Sequence, residues 1–285
     1  MIDSLTRLWF FTQQLYEMAR MMPAKSASKT HRALELLDML RRVGGSARTS
    51  HLAAALDVSE ETIRRTVKKL SKEGLVVRVH GGVFLAEGDE PGALPSRLGR
   101  NRAAKREMAR LAAGMVGDGA SLFMDVGSST AYVAEALRRK EGLTVVTNSM
   151  TVAQTLMGHN GNRVFLAGGE AAAGMGGCFG ATAQEFVCRF HTDLAILGAD
   201  AVDAERGFLL NDFAEAELAR CYIRHARRRI IVADHSKFSR TAPVVACAPG
   251  EVDVLVTDRP PPPALARALA GWEVEVSVPD EKRAA

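Results

Sequence analysis

Apolar positions recur at two different periods along this chain, and the change of period divides it. Between residues 31 and 73 the period is helical. Leu34, Leu37 and Leu40 predict a helix over 31–42 with those three leucines inward, closed by Gly44-Gly45. A short second helix is predicted over 50–56, a tight turn at Asp57-Val58, and a third helix after Ser59, where Ile63, Val67 and Leu70 fall at i, i+4 and i+7. Ser59 is placed to cap this third helix, Glu60 and Glu61 complement the positive end of its dipole, and Gly74 is placed to end it. Leu75 to Val79 then alternates as a strand, His80-Gly81-Gly82 makes a turn, and Val83 to Ala86 returns.

From Arg97 onward helical and strand segments alternate. Helices are expected over 101–116, 130–139, 150–158 and 211–227. Strands are expected over 120–125, 143–147, 163–167, 193–197, 230–233 and 252–256, and the Gly/Ala-rich stretch 167–181 reads as irregular. The strands are short and apolar nearly throughout, as strands are when helices cover both faces of a mostly parallel sheet. The expected class is therefore an α/β domain behind a small helical one. Glu87 to Pro95 (EGDEPGALP) reads as a linker, so the boundaries are expected at 1–28 for an N-terminal extension, 29–86, 87–96 for the linker, and 97–285.

The extension carries a helical stripe through Leu5, Leu8, Trp9, Thr12, Leu15, Tyr16, Ala19 and Met22, with no basic start and no clean apolar core, so it is not a secretory signal. Two readings stand: an amphipathic helix for dimer contacts, or an upstream translation artefact with the natural start at Met21 or Met22. Residues 23–30 (PAKSASKT) read as an ordinary disordered leader, which favours the second.

The helix, turn, helix and wing of residues 31–86 follow the order by which a winged helix-turn-helix sets one helix in the major groove. The third helix opposes its apolar stripe with Glu61, Arg65, Lys68, Lys69 and Lys72, flanked by Thr62 and Arg64. A basic helix face alone is usually only solvated. The neighbouring helix and the Gly-Gly wing turn the reading toward double-stranded DNA, with Ser59, Thr62, Arg64, Arg65, Lys68, Lys69, Arg78 and His80 as the candidate contacts. The arginines are open to two roles, bidentate contact with guanine or phosphate anchoring. Charge agrees. Residues 22–86 hold 12 Lys and Arg against 6 Asp and Glu, whereas residues 87–285 hold 23 against 25. That is a basic end suited to nucleic acid on a near-neutral remainder suited to a small molecule.

Polar residues gather where the strands of the larger domain end, which is where open α/β sheets bind ligands. They are Asp125 with Gly127, Ser128, Ser129 and Thr130, then Thr147 and Asn148, then Gly168 and Gly169, then Asp200, then Lys237. The Gly127–Thr130 turn offers backbone N–H groups and hydroxyls at a helix start, a natural phosphate site, with Lys237 and Lys105 adding positive charge. Each turn alone is what any helix cap uses. Their recurrence at several strand ends points to a polar pocket.

Ser59-Glu60-Glu61-Thr62-Ile63-Arg64-Arg65 followed by Arg78-Val79-His80-Gly81-Gly82 resembles the DNA-binding signature of the DeoR family of bacterial sugar-metabolism regulators. Thr66 departs from it, since the family usually carries Asp there; Thr66 lies beside the buried stripe, so the fold is expected to survive. Arg97, Lys105, Asp125, Gly127 to Thr130, Thr147-Asn148, Gly168-Gly169, Asp200 and Asp234 to Phe238 resemble the family's effector domain in the same order. The resemblance spans about residues 31–258. It implies a fold related to ribose-5-phosphate isomerase and the CoA-transferases, a phosphorylated sugar as effector, repression of a carbohydrate operon, and homo-oligomers reading repeated or palindromic sites.

Three alternatives carry less. An isomerase or deaminase with a DNA-binding appendage could draw acid–base groups from Asp125, Asp200 and Lys237, but no carboxylate pair or His–carboxylate couple stands out by spacing. The Asp125–Thr130 turn lacks the G-x-G-x-x-G of dinucleotide sites, so no cofactor is expected. His159, His191, His225 and His235 read as isolated, as surface or satisfied structural residues, so no metal is expected. Cys178, Cys188, Cys221 and Cys247 lack metal spacing and fit a reduced cytoplasmic protein in which they pack as small apolar groups. No apolar run is long enough to span a membrane.

Overall fold

The computed structural model describes residues 32–40, 43, 46–73, 75–79, 82–85, 94–172, 174–238 and 240–279. These fall into two compact units, divided in sequence between Gly88 and Asp89. The expectations for residues 1–28, Gly44-Gly45, Gly74, His80 and most of the linker lie outside the described residues.

The first unit opens with α1 over 32–40, followed by β1 (Ser46–Arg48), α2 (Thr49–Ala55), α3 (Glu60–Lys72), β2 (Val76–Val79) and β3 (Gly82–Leu85). Its core gathers Leu36, Leu37, Leu40, Leu52, Ile63, Val67, Leu70, Val76 and Val83. The inward face of α1 differs from the expected one: Leu34 is 54% exposed, while Ala33 and Leu36 join Leu37 and Leu40 inside. Positions 33, 36, 37 and 40 follow the i, i+3, i+4, i+7 stripe of a 3.6-residue helix, from which a strict three-residue spacing drifts away. The predicted hairpin is present with Arg78 opposite Val83, and β1, which the apolar pattern did not reveal, adds to β3 in the order β1-β3-β2.

The second unit begins with α4 (Leu94–Gly99), so the expected linker ends inside a helix, and α5 (Arg102–Gly114). Next come β4 (Ser121–Met124), α6 (Ser128–Leu137), β5 (Thr144–Thr147), α7 (Met150–Leu156) and β6 (Arg163–Leu166). The stretch read as irregular holds a hairpin, β7 (Glu170–Ala172) with β8 (Gly177–Phe179), and then α8 (Ala181–Val187). After it run β9 (Thr192–Gly198), β10 (Ala201–Asp203), β11 (Gly207–Leu210), α9 (Phe213–Arg224), β12 (Ala226–Val232), β13 (Val244–Cys247), β14 (Val254–Val256), α10 (Pro263–Gly271) and β15 (Glu275–Ser277).

Seven strands pair in the order β15-β14-β12-β9-β4-β5-β6, every neighbour parallel. Alternate residues serve opposite faces, because successive side chains on a strand point to opposite sides. Leu122, Met124, Val145, Ile196, Val232 and Val256 pack with Met108 of α5, Val133 of α6 and Leu156 of α7. Phe123, Val146, Leu197, Ile231 and Leu255 pack with Val187 of α8, Tyr222 of α9 and Leu269 of α10. Both faces are thus buried, which explains why the central strands read as unbroken apolar runs. The edge strand β6 is the exception, with Arg163 and Leu166 exposed. A smaller antiparallel sheet, β10-β11-β13, stands apart from the main one.

The strand order reverses at the centre. From β4 the chain moves to β5 and β6 on one side, then returns to β9 on the other side of β4. The carboxyl ends of β4 and β9 therefore diverge, and the crevice between them is where a doubly wound sheet receives a ligand.

Candidate functional site

In the first unit, Ser59 caps α3: its hydroxyl accepts from the Thr62 amide at 3.3 Å and meets the Thr62 hydroxyl at 2.9 Å. The side chains of Arg64, Arg65, Lys68, Lys69 and Lys72 are exposed, opposite the buried Ile63, Val67 and Leu70. Arg64 turns back along its own helix to Glu60 at 3.3 Å and Glu61 at 4.0 Å, and Lys69 reaches Glu73 at 3.9 Å. Arg65 and Lys68 have no ion-pair partner among the described residues. Thr66, at the position that departs from the resemblance, donates to the Thr62 carbonyl at 2.9 Å, a helical back-bond that an aspartate could not make. Arg78 is exposed on β2.

In the second unit, five neighbouring strands deliver polar groups to one end of the sheet. Asp125 follows β4 at the reversal point and is 3% exposed. Its Oδ2 accepts from the Gly198 amide of β9 at 2.7 Å, a bond across the crevice. Its Oδ1 is buried with no partner among the described residues. Burial pushes the Asp125 carboxyl up to about 7 against the pull of the Gly198 amide. Gly127 precedes α6, and Ser128, Ser129 and Thr130 form its first turn, all buried, with Thr130 Oγ1 donating to the Asp125 and Gly127 carbonyls at 3.2 Å each. The first-turn N–H groups of a helix lack acceptors within it, so an anion here meets unpaired donors.

Asp200 stands just beyond β9. Its Oδ1 is 3.5 Å from Arg97 Nη1 of α4 and 3.5 Å from Lys237 Nζ, and its Oδ2 accepts from the Asn211 amide at 3.1 Å. Burial lowers the Lys237 ammonium below its usual range, opposed by Asp200. Arg97 Nε is buried and unpartnered among the described residues, so part of this guanidinium is left over for another acceptor. Glu215, in the first turn of α9, is buried, and burial together with Asp125 and Asp200 pushes it up to about 8. Arg97 and Glu215 are additions to the predicted set. Arg97 is visible in the sequence only as part of the resemblance, and nothing in the spacing around Glu215 marks it, because its burial depends on the packing of α9.

Several predicted residues hold the pocket together from within. Lys105 is 3% exposed and gives its ammonium to the Arg97 and Arg100 carbonyls at 2.6 and 2.9 Å, which fixes α4 over the site; burial lowers it to about 8. Thr147 Oγ1 accepts from the Ser149 amide at 3.0 Å, and Ser149 caps α7. The Asn148 amide N–H donates to the Tyr222 hydroxyl at 3.0 Å, that hydroxyl donates back to Asn148 Oδ1 at 3.0 Å, and Asn148 Nδ2 donates to the Cys178 carbonyl at 3.0 Å. Gly169 sits at φ +133, where a side chain would stand 2.4 Å from the Phe179 carbonyl oxygen. Gly168 has open space beside it. Asp234 accepts from Asn101 Nδ2 at 2.9 Å and caps the 3-10 turn His235–Lys237 that carries Lys237.

Two expectations are corrected. His235 is not isolated: its Nδ1 lies 2.7 Å from Asp258 Oδ2, and its amide donates to Asp258 Oδ1 at 2.7 Å. The adjacency of β12 and β14 brings together residues that spacing kept apart. His191 and His225 are not isolated either, their ring centroids being 5.0 Å apart. Nor do the cysteines all pack inside: Cys247 is buried, Cys178 and Cys221 are half-buried, and Cys188 is exposed. Among the described residues no group of three or more His, Cys, Asp or Glu is placed to hold a metal ion, and no helix is long and apolar enough to cross a membrane.

Comparison with known proteins accounts for both units. Residues 32–88 match the DeoR-like helix-turn-helix domain, and residues 100–259 match the DeoR C terminal sensor domain. The chain is 32% identical over 250 residues to the glycerol-3-phosphate regulon repressor of Escherichia coli (strain K12), covering 88% of this chain and 99% of that one. It is 32% identical over 243 residues to the HTH-type transcriptional repressor CsqR of the same organism, covering 85% and 93%. Among solved structures, ribose 5 phosphate isomerase A from Neisseria gonorrhoeae aligns at 18% identity over 47% of this chain and 52% of that one, with a TM-score of 0.34. With both family domains matched in order, and relatives matched over most of their length, the chain belongs to the DeoR family of transcriptional regulators.

Proposed function

We propose that this protein is a cytoplasmic repressor of a carbohydrate catabolic operon, released from its operator by a small phosphorylated sugar. The observation that carries the reading is the meeting, at the sheet's reversal point, of an anion-ready helix start with a buried set of charged groups. The Gly127–Thr130 turn takes the phosphate, with Arg97 and Lys237 supplying positive charge beside it. The unpartnered Oδ1 of Asp125 and the carboxyls of Asp200 and Glu215 take sugar hydroxyls as hydrogen-bond donors. Three of the relatives that it matches are named glycerol-3-phosphate regulon repressors, so that polyol phosphate heads the compounds to test.

In the first unit, Arg65 and Lys68 lead the contacts to operator DNA, with Ser59, Thr62, Arg64, Lys69, Arg78 and His80 around them. A homo-oligomer presents two such helices to repeated half-sites. Ligand acts by population shift: it binds one arrangement of the oligomer better than the other and withdraws the paired helices from their half-sites.

A thermal-shift series with glycerol 3-phosphate, other sugar phosphates and their unphosphorylated forms tests this. A ligand that binds only the folded chain adds about 2.7 kcal/mol at 100 times its Kd. A shift with one phosphorylated compound and none with its free form supports the phosphate turn; shifts with free polyols alone, or with nothing, overturn it.

A second reading has one observation in its favour. Asp125 and Glu215, pushed up to about 7 and about 8, are the kind of paired carboxyls that acid–base chemistry uses. Turnover of a sugar phosphate by the purified protein would move this chain to the enzymes.

A further inference from the structure

α4 lies between the recognition elements and the pocket in sequence. Residues 86–93 lead from β3 into Leu94, where α4 begins, and Arg97 on the same helix reaches Asp200 in the candidate site. So short a helix takes its place from what grips it. Its C-terminal end is held firmly. Lys105 gives its ammonium to the Arg97 and Arg100 carbonyls at 2.6 and 2.9 Å, and the Tyr132 hydroxyl of α6 donates to the Leu98 carbonyl at 3.1 Å. Just beyond, Asn101 turns the chain into α5 with left-handed backbone at φ +49, and its Nδ2 donates to Asp234 Oδ1 at 2.9 Å. Asparagine tolerates this backbone and glycine adopts it freely. The same Asp234 oxygen accepts from the Ser236 amide at 3.0 Å, in the turn that carries Lys237. One carboxylate thus ties the corner between α4 and α5 to a cation of the pocket.

The other end of α4, toward residues 86–93, is held by Leu94. Its side chain is buried against Gly176, and its amide donates to the Gly174 carbonyl at 2.9 Å. Between the two ends, the grip of the pocket on α4 is the Arg97–Asp200 pair at 3.5 Å. That pair is exchangeable. Asp200 Oδ1 also serves Lys237, and Arg97 Nε has no partner among the described residues. A phosphate dianion at the Gly127–Thr130 turn carries more charge than one carboxylate and offers a guanidinium two oxygens at once, so it competes with Asp200 for Arg97.

We propose that α4 is a relay arm: an anion in the pocket draws Arg97 away from Asp200, α4 turns about the Asn101 corner, and residues 86–93 carry the displacement to the DNA-binding unit. This rests on the effector reading and gives its population shift a moving part. The fixed corner matters because a displacement is passed on only from a held pivot; with the corner loose, it is taken up within α4.

The test has two arms, both read by fluorescence anisotropy on a DNA duplex that the full-length protein selects from a random-sequence pool. The first uses no ligand. Arg97→Met and Asp200→Asn each break the pair, and each is expected to weaken duplex binding by about 5-fold or more, the low end of allosteric couplings, although neither residue belongs to the DNA-binding unit. Hydrogen exchange is expected to rise over residues 94–100 and to stay unchanged over β4, which separates a freed arm from a loosened domain. The second arm adds glycerol 3-phosphate, or whichever sugar phosphate raises the wild-type melting temperature, to Asn101→Gly and Tyr132→Phe. Glycine keeps the left-handed backbone and loses the tie to Asp234; phenylalanine loses only the hydroxyl. Both variants are expected to bind the duplex and the compound as the wild type does, yet to show release reduced by about 3-fold or more. Wild-type duplex affinity in both Arg97→Met and Asp200→Asn, or exchange that rises equally over β4, overturns the arm. Full release in both Asn101→Gly and Tyr132→Phe overturns the corner as its pivot. If no sugar phosphate shifts the wild-type melting temperature, the effector reading falls, and the ligand-free arm alone decides the relay.

Discussion

Arg65 and Lys68 are set apart from their neighbours by what they do not touch. Arg64 and Lys69 lie against acids of their own helix, which neutralises part of their charge, while Arg65 and Lys68 have no such partner among the described residues. Arg65→Ala is therefore expected to weaken operator binding, by about 1–3 kcal/mol if it contacts a guanine. Lys68→Ala is expected to lower the salt slope of binding by about one. Fluorescence anisotropy on operator DNA across a salt series reads both, and wild-type affinity in Arg65→Ala refutes the assignment. A different constraint acts at Gly177. A Cβ there would stand 2.2 Å from Val126 Cγ1 and 2.7 Å from the Asn148 carbonyl oxygen, so β8 lies against the ends of β4 and β5 only because this residue lacks a side chain. Gly177→Ala is expected to cost about 1–3 kcal/mol in urea denaturation. A loss below ~0.5 kcal/mol, the range of a surface change, would mean that this contact is not tight.

At the scale of elements, the caps decide where helices begin. Ser59 takes the Thr62 amide for α3, Ser149 the Val152 amide for α7, and Asp212 the Glu215 amide for α9. The last of these also sets where Glu215 sits. Ser59→Ala removes the cap of the recognition helix and is expected to cost about 1 kcal/mol. Circular dichroism melts of the variant should show the loss, and Ser59→Asp, which caps as well, should restore it. Failure of the aspartate to rescue would place the serine's role elsewhere. The strands are held in pairs by similar local devices: Arg229 of β12 makes a two-pronged contact with Asp253 ahead of β14, at 2.7 Å on both oxygens.

For the whole molecule, the buried ionisable groups predict how stability follows pH. Glu215, ordinarily near 4.5, is pushed up to about 8, and Asp125, ordinarily near 3.8, to about 7. Between about pH 4 and pH 8 the unfolded chain has lost these protons while the folded chain keeps them. The folded state binds more protons, so stability falls as pH rises through that window. Lys105 works the other way, because burial lowers it from 10.5 to about 8. Above pH 8 the unfolded chain holds the proton more firmly, and this contribution recovers toward pH 10.5. Urea titrations of the second unit from pH 5 to pH 8 should show the decline. Glu215→Gln should flatten it, since the amide does not titrate. An unchanged slope in that variant would show that Glu215 is ionised in the folded protein.

Local signals survived from sequence to structure because they are short-range. The caps at Ser59, the acids of the first turn, the Ile63–Val67–Leu70 stripe and the polar turns after each central strand depend on residues within four positions of one another. Double burial made the central strands legible as apolar runs, and the turn at Gly127–Thr130 was readable as a helix start. The inward face of α1 differs from the one its leucines suggest, because a three-residue spacing drifts around a helix of 3.6 residues per turn. β1, β10, β11 and β13 escaped because each draws its place from a strand far away in the chain or from a short, unpatterned stretch. What only the tertiary structure decided is which polar groups meet. The bond of Asp125 to Gly198, the bracketing of Asp200 by Arg97 and Lys237, the burial of Glu215 and the His235–Asp258 couple all depend on strand order and helix packing. Periodicity and capping act along the chain, so the sequence alone determined the central strands, most of the helices and the kinds of residue at their ends. Charge pairing and burial act through space, and they exist only once the sheet has set its strands side by side.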